Sequence, residues 1–239
     1  MKKFIIISNW KMNLPDNIEG LVEISKQAAR ENLEISIAPP FTEIAYISSL
    51  LKNNNLSVSA QNVSFENEGA YTGEVSAKIL SKYKLKYCIV GHSERLIYFN
   101  ETYKEISKKI KNLVINSITP VLCIGEKEEL SINNKKKILK EQFQKCIDDN
   151  EVKDLILAYE PVWAFGTGKS LNINEAEEII NYLKESFKYN FVNLRVQYGG
   201  SVNSSNIRNF FQSTVIDGVL LGKASISLKE FKNILEGCE

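Results

Sequence analysis

A closed (β/α)8 barrel is the fold class this sequence predicts: an α/β architecture of eight parallel strands ringed by helices, forming one domain over residues 1–239. Three observations carry that expectation. Eight short stretches rich in Val, Ile, Leu, Phe and Tyr recur along the chain, and amphipathic segments with helical spacing lie between them. The length of 239 residues matches the ~250 typical of such a barrel. Alternating strands and helices imply parallel strands joined by crossover helices, and nearly continuous apolar strand cores imply sheets covered on the outside. An open doubly wound sheet is the alternative, but no G-x-G-x-x-G follows the first strand.

The strands are read in order. "FIIISNW" from residue 4 opens the chain and ends in the polar Asn9 and Lys11, and "NIEGLVEISKQAARE" follows as a helix. "LEISIAPP" from 33 and "LSVSAQNV" from 56 are the second and third strands. The third leads into the long connection "QNVSFENEGAYTGE", a length of structureless chain that is usually functional. "YCIVGHS" from 87 carries the only histidine, His92, at its end, just before "SERL", which reads as the opening of a short helix; "ETYKEISKKIKNLVIN" is the longer helix beyond it. "TPVLCIGE" from 119 and "DLILAYEPVW" from 154 are the fifth and sixth strands, the latter ending at Glu160, and the helix "EAEEIINYLKESF" precedes "LRVQYGGSV" from 194. "DGVLLGKAS" from 217 is the eighth strand.

Composition narrows the function classes. Thirty basic residues against twenty-nine acidic ones give a net charge of +1, with both signs scattered through the same segments. That argues against a general nucleic-acid or membrane surface. It leaves room for a local anion site, because a few aimed N–H groups and one Lys can hold a phosphate. The apolar run in "MKKFIIISNW" ends after four residues, too short for a signal peptide, and no segment approaches the ~20 apolar residues of a membrane span. Cys88, Cys123, Cys146 and Cys238 form no C-x-x-C pair, so buried free thiols in a soluble, cytoplasmic protein are expected.

Barrel active sites form at the C-terminal ends of the strands. Asn9 and Lys11 lie at the end of the first strand, His92 of the fourth, Glu160 of the sixth, Ser201 of the seventh and Gly222 of the eighth. A helix cap or a solvated charge explains any one of them, but not their convergence on one rim. The i, i+2 spacing of Asn9 and Lys11 at a strand end is expected to put both side chains on one face.

These residues sit in motifs that resemble the triosephosphate isomerase family: "NWKMN" at 9–13, "AQN" at 60–62, "GAYTGE" at 69–74, "VGHSER" at 90–95, "LCIGE" at 122–126, "YEPVWAFGTGK" at 159–169, "YGGSV" at 198–202 and "LLGKAS" at 220–225. They occur in family order and cover almost the whole chain. The resemblance implies interconversion of dihydroxyacetone phosphate and D-glyceraldehyde 3-phosphate through an enediolate, in glycolysis and gluconeogenesis. Moving a proton between adjacent carbons requires a base, and the enediolate oxygen requires an electrophile. Glu160 is the expected base, strengthened when closure strips it of water. Lys11 supplies fixed positive charge, with Asn9 as a neutral donor beside it. Glu94 lies close enough to pair with Lys11 or to assist proton transfer. His92, at the positive end of a helix that disfavours imidazolium, is the neutral electrophile. That role is inherited from the family, which is a standard example of a neutral histidine at work.

"PVWAFGTGK", from Pro161, Val162, Trp163 and Ala164 through Phe165, Gly166, Thr167 and Gly168 to Lys169, looks like a lid that closes over a small substrate. Backbone N–H groups of Gly166, Ser201, Gly222 and Lys223 are expected to cradle the phosphate. Three positions depart from the usual family pattern: Leu96 in place of a second arginine after "SER", Phe165 in place of a smaller aliphatic residue, and Lys223 in place of a glycine. In the family the loop after the third strand inserts into a second subunit, which implies a homodimer with Thr72 reaching the partner's site. No metal cluster or nucleotide fingerprint is present in the sequence, so no cofactor is expected. Two other readings compete. A different phosphate-binding barrel enzyme would not need "NWK", "GHSE" and "YEPVW" together, and a catalytically dead scaffold would show a lesion at Asn9, Lys11, His92 or Glu160, which this chain does not.

Overall fold

Eight strands pair in chain order and close on themselves, β8 returning to β1, with every pairing parallel. The structure is a computed structural model that describes residues 3–51, 56–147, 152–164 and 171–239. The strands are β1 (Phe4–Asn9), β2 (Leu33–Ala38), β3 (Leu56–Ala60), β4 (Tyr87–Val90), β5 (Thr119–Ile124), β6 (Asp154–Tyr159), β7 (Asn193–Tyr198) and β8 (Gly218–Leu221). Around them run α1 (Ile18–Ala28), α2 (Phe41–Leu50), α3 (Ala77–Ser81), α4 (Ser93–Tyr98), α5 (Tyr103–Ile115), α6 (Ile132–Cys146), α7 (Ile173–Phe187), α8 (Ile207–Gln212) and α9 (Leu228–Glu236). The fourth unit carries two helices, α4 and α5, as "SERL" and "ETYKEISKKIKNLVIN" predict.

The strands are apolar on both faces because both faces are covered. Along β1, Ile5 and Ile7 point into the barrel and pack with Ile89, Val121, Ile156 and Leu220, while Phe4 and Ile6 point outward into the layer between sheet and helices. This two-residue alternation inside a continuous apolar run distinguishes a sheet buried on both faces from a half-exposed one. The barrel's inner layers also hold Ser36, Ser59 and Gln197, all fully buried.

At the N-terminal end the barrel is closed by a charged cluster. Glu34 accepts hydrogen bonds from Lys86, from the Tyr87 hydroxyl at 2.6 Å and from Arg195 at 3.1 Å. At the C-terminal end the strands open onto loops. All four cysteines are buried and free. No helix among the described residues is long and apolar enough to cross a membrane.

Candidate active site

Asn9, Lys11, His92, Glu160, Ser201, Gly222 and Lys223 line one cleft of about 300 Å³ at the C-terminal rim. Glu94 joins it through Lys11, whose ammonium donates to its carboxylate at 2.5 Å. In the proposed lid, Pro161 to Ala164 are described, with Val162–Ala164 forming a 3-10 turn. Phe165, Gly166, Thr167, Gly168 and Lys169 lie outside the described residues. Thr72 is exposed on the connection after β3, away from the cleft lining.

Lys11 reaches the cleft by a different route from the one strand periodicity predicts. β1 ends at Asn9, and Lys11 sits in a turn at φ 53°, a left-handed conformation that L-residues seldom adopt. The local contacts hold it there. The Asn9 carboxamide oxygen accepts from the Lys11 amide at 3.1 Å, and the Gln61 amide donates to the carbonyls of both Lys11 and Ala38 at 2.9 Å. Backbone strain at a functional position persists where the surroundings over-determine it. Gln61 belongs to the "AQN" motif, but nothing local in the sequence gives it this task.

His92 is the N-cap of α4, and its Nδ1 accepts from the Glu94 amide at 3.2 Å. A ring nitrogen that accepts carries no proton, so in the neutral ring the proton sits on Nε2. Nε2 faces the cleft, 3.6 Å from Glu160 Oε1. That is too long for a direct hydrogen bond, so the two groups converge on a common point without occupying each other.

Glu160 is buried at the end of β6, with its amide bonded to the Ile124 carbonyl. Its Oε2 has no conventional hydrogen bond among the described residues. Two glycines make its position possible. A Cβ on Gly125 would lie 1.7 Å from the Glu160 carbonyl oxygen, and one on Gly199 would lie 2.7 Å from its Cγ. Behind the carboxylate lies Cys123, whose thiol is pushed well above its ordinary pKa by burial and then by the charge of Glu160, and so stays neutral. A second cavity of about 210 Å³ lies on the far side of Glu160, lined by Leu96, Cys123 and Gln142 among others. Leu96, in place of the family's second arginine, packs against the core instead of forming an ion pair.

The turn at Val162–Ala164 is held by Glu126, which terminates "LCIGE". It is buried, and it accepts from the Tyr159 hydroxyl at 3.0 Å and from the Trp163 indole at 2.9 Å. Lys135 lies 3.9 Å from the same oxygen and 5.3 Å from the Trp163 ring centroid. Burial pushes the Glu126 carboxyl up, against the opposing pull of these donors.

An acceptor-capable carboxylate, an imidazole that donates, a lysine and small residues at the ends of β7 and β8 together suit proton abstraction beside a carbonyl on a phosphorylated substrate. Comparison with known proteins agrees. The chain is 37% identical to the triosephosphate isomerase of Alkaliphilus oremlandii, with 98% of this chain and 99% of the relative covered. It is 38% identical to the triosephosphate isomerase of Prochlorococcus marinus strain MIT 9211, with 98% of each covered. With the one from Dictyoglomus thermophilum it shares 38% identity over 99% of this chain and all of the relative. Residues 4–238 also match the profile of triosephosphate isomerases as a group, so the rim chemistry and the full-length similarity lead to one conclusion: the chain belongs to the triosephosphate isomerase family.

Proposed function

We propose that Glu160 is the base and His92 the electrophile of the triosephosphate isomerase reaction this chain catalyses. The observation that carries this reading is the convergence of Glu160 Oε1 and His92 Nε2 on one point of the cleft, from β6 and from the N-terminus of α4. Glu160 takes a proton from the carbon next to the substrate carbonyl. Negative charge then develops on the carbonyl oxygen, where the Nε2–H of His92 donates a hydrogen bond and Lys11 supplies positive charge. Glu160 returns the proton to the neighbouring carbon while His92 passes a proton between the two oxygens. Asn9 is a neutral donor beside Lys11, and Glu94 orients the lysine by pairing with it. Backbone N–H groups of Ser201, Gly222 and Lys223 hold the phosphate, with Gly166 of the lid adding another, and closure of residues 161–169 keeps water from the enediolate. The reaction needs no cofactor. The protein works in the cytoplasm as a homodimer in which Thr72 reaches the partner's cleft.

A coupled assay for conversion of glyceraldehyde 3-phosphate to dihydroxyacetone phosphate tests the assignment. Glu160→Gln is expected to lower kcat by about a thousandfold, within the range of a lost general base, with little change in KM. Near-normal turnover would remove Glu160 from the mechanism.

A further inference from the structure

We propose that the Lys223 side chain, beyond its backbone amide, binds the substrate phosphate as the second cation of the cleft. This rests on the assignment of the cleft to a triose phosphate, and it follows from the charges there. Lys11 is already paired with Glu94, and Glu160 places a further negative charge in the same buried space. A phosphate dianion entering this cleft meets a lysine partly offset by Glu94 and a carboxylate that repels it, so a further cation on the lining strengthens binding beyond what backbone N–H groups supply. Partly buried charges are weakly screened, so that repulsion is not removed by salt alone.

Lys223 restores the balance. It lines the cleft, is exposed at the rim, and forms no ion pair among the described residues. It begins the 3-10 turn that follows Gly222, and a Cβ at Gly222 would meet only the Lys11 Cε, at 3.8 Å. The Lys11 stem and the 222–223 backbone therefore flank the same space. The Lys223 ammonium rides on a flexible four-carbon stem at the mouth of that space, and lysine serves phosphate as a mobile point charge. Ser201 and Asn203, which follow the neighbouring strand β7 and line the same cleft, are neutral and do not compete for Lys223.

The test uses the full-length enzyme with Lys223→Met, which keeps the amide and the stem, and Lys223→Arg, which keeps the charge. KM for glyceraldehyde 3-phosphate, kcat and the inhibition constant for inorganic phosphate are measured from low to high ionic strength. Lys223→Met is expected to raise both KM and the phosphate inhibition constant by about two- to fivefold at low salt, as for one exposed charge contact, with the gap narrowing as salt rises. The loss falls on KM more than on kcat, because the contact serves ground state and transition state alike. Lys223→Arg recovers most of it. An unchanged phosphate inhibition constant in Lys223→Met would overturn the proposal, as would equal losses in Met and Arg variants that do not depend on salt. If wild-type protein lacks isomerase activity, the underlying site assignment fails, whereas direct titration of inorganic phosphate into the same three proteins still reports on Lys223.

Discussion

His92 shows how one backbone contact selects a chemical role for a side chain. Because the Glu94 amide donates to Nδ1, only the tautomer protonated on Nε2 both satisfies the helix terminus and presents a donor to the substrate. Nitrogen-15 NMR of the ring at neutral pH is expected to show a neutral imidazole with its proton on Nε2; an imidazolium, or a proton on Nδ1, would refute the electrophile assignment. His92 and Glu160 were legible in the sequence because each ends an apolar strand inside a long motif. Gly199 and Gly125 were not, because their need for a bare Cα comes from Glu160, a residue distant in sequence that packs against both. Gln61 and Glu126 were hidden for a similar reason: their partners are the Lys11 turn and the Trp163 indole, and no local pattern encodes either meeting.

At the scale of elements, strand positions were legible because the apolar runs and their spacing state them directly, but the direction of polar residues within a strand was not. Glu34, in "LEISIA", reads as an ordinary polar position, yet it is buried at the barrel floor and ties β2 to Lys86 and Tyr87 at the start of β4 and to Arg195 of β7. Burial opposes its charge, but donors from Lys86 and Tyr87 outweigh burial and hold its pKa below the ordinary 4.5. A carboxyl with a lowered folded pKa contributes stability above its unfolded pKa and loses it as pH falls through the folded one. Glu34→Gln is therefore expected to cost about 2–3 kcal/mol at neutral pH, as for hydrogen bonds to a charged group. The difference from wild type should shrink as pH drops below 4.5. Chemical denaturation at fixed protein concentration measures both, and a difference that does not change with pH would rule out the charged network as its source. The connection from residue 61 to residue 76 shows the converse case, a long loop with no helix or strand that is nonetheless fastened. Lys109 and Asn112 of α5 donate to Asn62 and to the Phe65 carbonyl at 2.7 and 2.9 Å.

For the whole molecule, the distribution of exposed apolar side chains is the informative feature. Scattered surface hydrophobics are normal, but a concentration on one side marks an interaction face. Met12 and Leu14 follow β1, Tyr46 lies on α2 after β2, Tyr71 lies on the connection after β3, and Ile97, Tyr98 and Phe99 follow β4; all are exposed. Since β1 to β4 are consecutive neighbours in the barrel, these residues occupy the loops and helices of one half of it. Thr72 lies exposed in the same region, so a second copy docked on this face would cover the apolar side chains and bring Thr72 towards the partner. Two-fold symmetric association uses one patch on both subunits, which this arrangement permits. Sedimentation at assay concentration is expected to give the mass of a dimer. Met12→Arg, which places a charge within the patch, is expected to shift the protein towards monomer and to lower activity with it, with activity returning as protein concentration rises. A wild-type protein that sediments as a monomer at full activity would show that each cleft works without its neighbour and that Thr72 has no part in it.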